Sequence, residues 1–162
     1  MEGDREGRVD HPAAANAALT AVEWARGEYV VSTSRVRVEL DVIHRFLTTS
    51  YWAEGITYDA VRRSVEHSLP FGVYRGRRTV GFARVITDYT TFAYLADVFV
   101  LPEFRGRGLG GWLVGCVLAH PSLQVVRAWG LKTRDAQALY RRFGFAEPPA
   151  DVSYMQRTVP TR

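Results

Sequence analysis

Lysine is almost absent from this chain: Lys132 is the only one, and arginine supplies the other 20 of its 21 basic residues. Cysteine is equally scarce. A lone Cys116 excludes an internal disulfide framework and any zinc site built on cysteines, and its simplest reading is a small buried hydrophobe. No apolar run approaches the ~18 residues of a membrane span. The mixed-charge start Met1-Glu2-Gly3-Asp4-Arg5-Glu6 lacks the apolar stretch of a secretory signal. The histidines show no spacing to carboxylates that would mark a metal site, so no metal is expected. These absences point to a reducing, cytoplasmic location with no membrane partner.

What is present suits one globular domain. The chain has 162 residues, 47% of them hydrophobic and 23% charged, enough for a real core and too few for a second full domain. The net charge of +4 is a mild basic bias. The arginines are scattered, with no basic helix face and no aromatic-basic strand pair, so no nucleic acid is expected as partner. A phosphorylated cofactor would meet the positive charge equally well.

Along the chain, residues 1–27 read as a poorly ordered or loosely helical leader, and the compact domain as 28–162. Tyr29-Val30-Val31 is a first strand. One helix starts at Asp41 and buries Ile43, Phe46 and Leu47; a second is capped by Thr57, carries Val61, Val65 and Leu69 on one face, and ends at Pro70. The pattern then turns extended. Strands at Phe71–Tyr74, Thr79–Thr87 and Phe92–Leu101 make an antiparallel meander, the last apolar on both faces except at Asp97. A helix begins near Gly108, with Leu109, Trp112, Leu113, Cys116, Val117 and His120 at helical spacing. A strand over Leu123–Leu131 and a helix starting at Thr133 or Asp135 follow, the helix stopped by Gly144. A last strand covers Val152–Gln156. This order predicts an α+β fold around a mixed sheet.

The chemistry is concentrated in Asp97-Val98-Phe99-Val100-Leu101-Pro102-Glu103-Phe104-Arg105-Gly106-Arg107-Gly108-Leu109-Gly110-Gly111. A buried strand runs through a proline-bounded turn into a glycine loop that opens a helix. Glycines let successive N–H groups turn toward one point, the helix start adds unpaired donors, and Arg105 and Arg107 strengthen the anion site for a pyrophosphate. No Gly-Lys-Ser/Thr triplet closes the run, which excludes a nucleotide P-loop. The string Gly106 to Gly111 does satisfy the dinucleotide pattern, but it follows an antiparallel meander instead of opening a parallel βαβ unit.

At these residues the chain resembles the GNAT acetyltransferase superfamily. Arg105, Gly108 and Gly110 match its Gln/Arg-x-x-Gly-x-Gly/Ala signature, and Val98, Val100 and Pro102 match the strand before it. Tyr140, in Ala136-Gln137-Ala138-Leu139-Tyr140-Arg141-Arg142-Phe143-Gly144-Phe145, matches the family's later tyrosine helix. The resemblance implies a mixed, mainly antiparallel central sheet with helices on both faces, and N-acetyl transfer from acetyl-coenzyme A to an amine of a small molecule or peptide, by direct attack in a ternary complex. It implies a pyrophosphate held by the backbone from Arg105 to Gly111, Leu109 included, and pantetheine bonded near Val100. The N–H of Val98 or Phe99 becomes an oxyanion donor, and Tyr140 the proton donor to the departing thiolate. The position where many relatives place an asparagine against the pantetheine arm is Thr133 here. The stretch after Phe145 is shorter than the two strands many relatives have, so a homodimer that completes the sheet is a further expectation. The competing reading is a domain that senses acyl-coenzyme A without turning it over.

On the acceptor side, an alkylamine is mostly protonated at neutral pH, so a base helps. Asp97, the acid in the central strand, is the candidate; the opposing reading pairs it structurally with an arginine such as Arg84. Tyr51, Trp52 and Glu54, between the first two helices, are candidate acceptor-binding residues.

Overall fold

A computed structural model of the chain describes residues 20–158. The first two strands, β1 (Glu23–Arg26) and β2 (Tyr29–Ser32), form a hairpin about Gly27, whose φ of 58° suits the turn. β1 lies inside the segment read as a leader. The expected boundary at Glu28 therefore falls within this hairpin, and residues 1–19 of the leader lie outside the described residues. The signal for β1 was present: Val22, Trp24 and Arg26 alternate up to a Gly27-Glu28 turn.

Two helices cross next, α1 (Leu40–Leu47) and α2 (Tyr58–Glu66). α1 starts after Glu39 and not at Asp41; the Glu39 carboxylate serves the sheet, accepting from the Thr79 N–H at 2.8 Å and from the Thr79 hydroxyl. Thr57 caps α2 as expected, accepting from the Ala60 N–H at 3.2 Å. α2 ends sooner than predicted. The residue before a proline is pushed toward extended backbone, so Leu69 opens β3 (Leu69–Arg75) with Pro70 inside the strand. Proline is tolerated there because β2 reaches only to Gly72, leaving no donor required of Pro70 on that side. Arg35 closes the junction, donating to the carbonyls of Val65 and Ser68.

β3, β4 (Arg78–Thr87) and β5 (Phe92–Val100) form the antiparallel meander, with β3 and β4 joined across Gly76-Arg77. β6 (Ala128–Gly130) then adds in parallel to β5, giving the order β1-β2-β3-β4-β5-β6. α3 (Leu109–Leu118) packs on one face, where Leu113, Val114 and Val117 join Val31, Phe71, Val73 and Leu95. α1 and α2 pack on the other, where Ile43, Leu47, Val61 and Val65 meet Phe82 and Phe99. Phe46 stays half-buried and stacks on Phe99 at 3.9 Å between ring centroids. This is the expected mixed, mainly antiparallel sheet with helices on both faces.

Several expectations in the last third of the chain fail. Leu123–Leu131 is not one strand: Pro121–Leu123 forms a 3-10 turn, and only Ala128–Gly130 pairs. His120 leaves the helix to start that turn, buried against Trp24 and Phe71, with Nδ1 accepting from the Ser122 N–H. The final helix, α4, is only Gln137–Arg141; the Thr133 hydroxyl accepts from the Ala136 N–H at 3.0 Å and holds the preceding turn. Gly144, expected just past its end, lies two residues beyond the Arg142 C-cap, in the turn at φ 84°. Val152–Gln156 forms no strand and leaves Val152, Tyr154 and Met155 exposed. Its alternation lacks a neighbouring strand to pair with, and an unpaired strand does not hold.

Candidate active site

The glycine loop is shaped by backbone conformations that only glycine adopts without strain. Gly106 has φ 74° and Gly108 φ 71°, and Gly108 forms the entry to α3. The first helical bond of the segment runs from the Trp112 N–H to the Gly108 carbonyl at 3.1 Å. Among the described residues, no backbone N–H from Gly106 through Gly111 donates a hydrogen bond. Six consecutive donors are thus free beside the positive end of a helix.

The arginines are placed differently from one another. Arg105 turns back and donates from Nε to the Val100 carbonyl at 3.0 Å. Arg107 reaches the Tyr29 hydroxyl at 3.2 Å and the Glu103 carbonyl. Arg26, from β1, donates to the Arg107 carbonyl at 3.0 Å and covers the Trp112 ring at 4.8 Å. It braces the carbonyl side of the loop. No local pattern marks Arg26 for this role, since it reaches the loop across 81 positions of sequence.

From the loop the site runs back along β5. Pairing with β6 stops at Tyr94 opposite Gly130, so β5 beyond Tyr94 has no neighbour on that side. Here β5 also bulges: Arg84 lies opposite Ala96 and Phe82 opposite Phe99, leaving two β5 residues against one on β4. Asp97 sits in the bulge at φ 54°, a conformation that aspartate tolerates better than most residues. Gly81 permits the close approach of the strands; a Cβ there would lie 2.8 Å from the Phe99 carbonyl oxygen. The Leu101 N–H bonds the Val80 carbonyl, so strand alternation turns the polar groups of Val100 to the open side.

Both oxygens of Asp97 are engaged. Oδ2 accepts from Arg84 Nε at 2.5 Å, and Oδ1 from Trp52 Nε1 at 3.2 Å. The pair is nearly sealed, with side-chain exposures of 15% for Arg84 and 10% for Asp97. The ion pair of the structural alternative is therefore made.

Tyr140 is buried on α4, edge-on to Phe145 at 5.9 Å. Burial pushes its phenol up to about 12, so it keeps its proton through the neutral range. It lines a cavity of about 790 Å³ that also contains Thr133 and Gln137 and reaches Tyr94 and Gly130, where the strands part. Loop, open edge and tyrosine thus succeed one another along one side of β5.

Comparison with known proteins identifies the family. The model of the acetyltransferase (GNAT) domain matches residues 66–147. A GNAT-family crystal structure from Xanthomonas campestris pv. campestris is 47% identical, aligns 84% of this chain with 96% of that one, and superposes with a TM-score of 0.79. The chain belongs to the GNAT acetyltransferase family. FG08082 of Gibberella zeae, named for that activity, is 35% identical over 111 residues, which are 56% of this chain and 63% of that protein. The chain thus spans less than two thirds of this curated relative's length. The aminoglycoside N-acetyltransferase AAC(6')-Iy, solved with CoA, shares the fold at 23% identity and a TM-score of 0.54, over 74% of this chain and 89% of its own.

In this GNAT chain the acceptor-side candidates divide. Trp52 holds Asp97, and Tyr51 accepts from the Arg134 N–H at 3.1 Å while the Arg134 guanidinium lies 3.8 Å over its ring. The α1–α2 loop is thereby tied to the bulge and to the β6–α4 loop. Glu54 is exposed and makes no hydrogen bond among the described residues. No helix among the described residues is long and apolar enough to cross a membrane.

Proposed function

We propose that the protein transfers an acetyl group from acetyl-coenzyme A to an amine, by direct attack in a ternary complex. The observation that carries this reading is the run of six free N–H groups from Gly106 to Gly111 leading to an open strand edge. A pyrophosphate fits such a loop, because anions are stabilised where unpaired N–H groups and a helix dipole converge. The extended pantetheine arm fits the edge beside Val100, whose carbonyl Arg105 already occupies, leaving the N–H. Thr133 lines the same cavity as Tyr140 and is the residue assigned to the arm's far side.

The reacting carbonyl then belongs near the bulge. Of the two N–H groups considered as oxyanion donors, that of Val98 suits the role better, since Phe99 is ranged opposite Phe82 with its carbonyl against Gly81. Tyr140, protonated at neutral pH, is assigned to give its proton to the departing sulfur. Asp97 is assigned the base role through the second lone pair that each of its oxygens retains beyond the bonds to Arg84 and Trp52. Tyr51 and Trp52 frame the acceptor entrance, with Glu54 at its rim. A homodimer in which a partner strand extends the sheet beyond the three-residue β6 accords with the unpaired Val152–Gln156 segment.

The deciding measurement is thiol release from acetyl-coenzyme A against a panel of amines, with binding of coenzyme A followed in parallel by calorimetry. Amine-dependent release is expected. Binding without release for any amine would favour the sensor reading.

A further inference from the structure

The wall chemistry of the cavity beside Tyr140 names a class of acceptor, a step that rests on the acetyl-transfer reading above. Phe92 and Tyr94 from β5, Trp129 from β6, Phe145 after α4 and Tyr154 from the C-terminal segment all line it. Its charged wall residues are Lys132, Arg141 and Glu147. Arg141 donates to Glu147 Oε1 at 2.5 Å, so the one carboxylate in the wall is already paired. Lys132 stays without a carboxylate partner among the described residues, its Nζ 5.2 Å from the centre of the Tyr154 ring. Asp97, the neighbouring buried acid, is held by Arg84 and Trp52.

An aromatic wall can attract cations through its ring faces. Here a protein cation already covers Tyr154, and another covers Tyr51. A polyamine or an aminoglycoside has further ammonium groups besides the one that reacts. Each would meet the exposed Lys132 with no free carboxylate in the cavity wall, among the described residues, to receive it; Glu54 lies outside that wall. A flat apolar body, by contrast, gains the full contact of the rings. The volume of about 790 Å³ is ample for such a body together with the acetyl end of the donor.

We propose that the acceptor is a monoamine carried on an aromatic body, with any anionic tail directed to Lys132. In the transfer its nitrogen lone pair attacks the thioester carbonyl. The C–N bond forms and the C–S bond breaks. The proton lost by the amine is balanced by the one the sulfur receives through Tyr140.

The test is kcat/KM by thiol release for the full chain with phenethylamine, phenylalanine, spermidine and kanamycin. At least one aromatic monoamine should exceed both polycations by about tenfold, the scale of one favourable ring-ring contact. A preference for phenylalanine over phenethylamine would place the anionic tail at Lys132, and Lys132→Glu should abolish that preference while improving spermidine. The reverse preference would assign an acceptor without a tail. Equal rates for all four amines, or faster turnover of spermidine or kanamycin, would overturn the class. Thiol release with none of them, despite coenzyme A binding, would overturn the transfer reading and this assignment with it.

Discussion

At the scale of single residues, Tyr140 and Asp97 carry the sharpest expectations. Tyr140→Phe removes a hydroxyl that matters only as charge develops on sulfur, so it should lower turnover by ~10²-fold and leave coenzyme A affinity nearly unchanged. Single-turnover rates and calorimetry check both halves, and wild-type chemistry in the variant would reduce Tyr140 to a packing residue against Phe145. Asp97 is already bonded to Arg84 and Trp52, so its two roles separate experimentally. Asp97→Asn should remove the limb of the pH–rate profile on which the rate rises with pH if the carboxylate is the base. The melting temperature should fall in either case, because a nearly sealed Arg84 is left without its counter-charge; as a purely structural partner Asp97 would leave the pH–rate profile unchanged. pH profiles, read with melting curves on one preparation, distinguish the two. Cys116 is inert by comparison: burial pushes its thiol up to about 11, which removes the thiolate needed for nucleophilic work.

At the scale of elements, the turn from β5 into α3 is the working part of the fold. Its strand edge is open because β6 is short, and its loop is open because glycines at positive φ direct the N–H groups outward. Gly108→Val tests the loop alone. A Cβ at Gly108 meets only the Arg26 guanidinium, at 3.8 Å, so crowding is not the problem. The φ of 71° is. A β-branched residue disfavours it by about 1–2 kcal/mol, and relaxing that strain would turn the N–H groups away from one another. Coenzyme A affinity measured by calorimetry should fall about tenfold, the equivalent of that strain, with the melting temperature only modestly lower. Unchanged affinity would dissociate the loop from cofactor binding. The loop is also braced from a distance: Arg26 ties β1 to the carbonyls of Arg107 and Gly108, so the N-terminal hairpin supports the site without touching its donors.

At the scale of the whole molecule, two buried phenols make stability sensitive to alkali. Tyr74 and Tyr140 are both pushed up to about 12, chiefly by burial. Unfolded tyrosines lose their protons near ~10. Their contribution is therefore complete below about pH 10 and is lost as the pH climbs from there toward 12, because the unfolded chain ionises first. The melting temperature should decline across that window, and Tyr74→Phe should flatten the decline. An identical decline in the variant would assign alkaline unfolding to other groups. The two faces of the sheet contribute through separate cores, one under α3 and one under α1 and α2. Phe82, fully buried in the second, joins its helices to the strand that carries the site.

The sequence by itself determined the features set by neighbouring residues. Glycines at 106 and 108, a proline at 102 and the start of an apolar helix specify the anion loop wherever the rest of the chain lies, because φ preferences and helix ends are local. Tyr140 followed by Phe143-Gly144-Phe145 was legible for the same reason. Tertiary structure decided whatever depends on residues far apart in the chain. Asp97 meets Trp52 across 45 positions, and Arg26 meets Gly108 across 82; no spacing rule reaches that distance. Strand lengths belong to this second group. Val152–Gln156 alternates like a strand yet pairs with nothing among the described residues, and β6 shrinks to three residues where β5 turns away. A strand exists only where a neighbour satisfies its backbone, and the neighbour is a property of the fold.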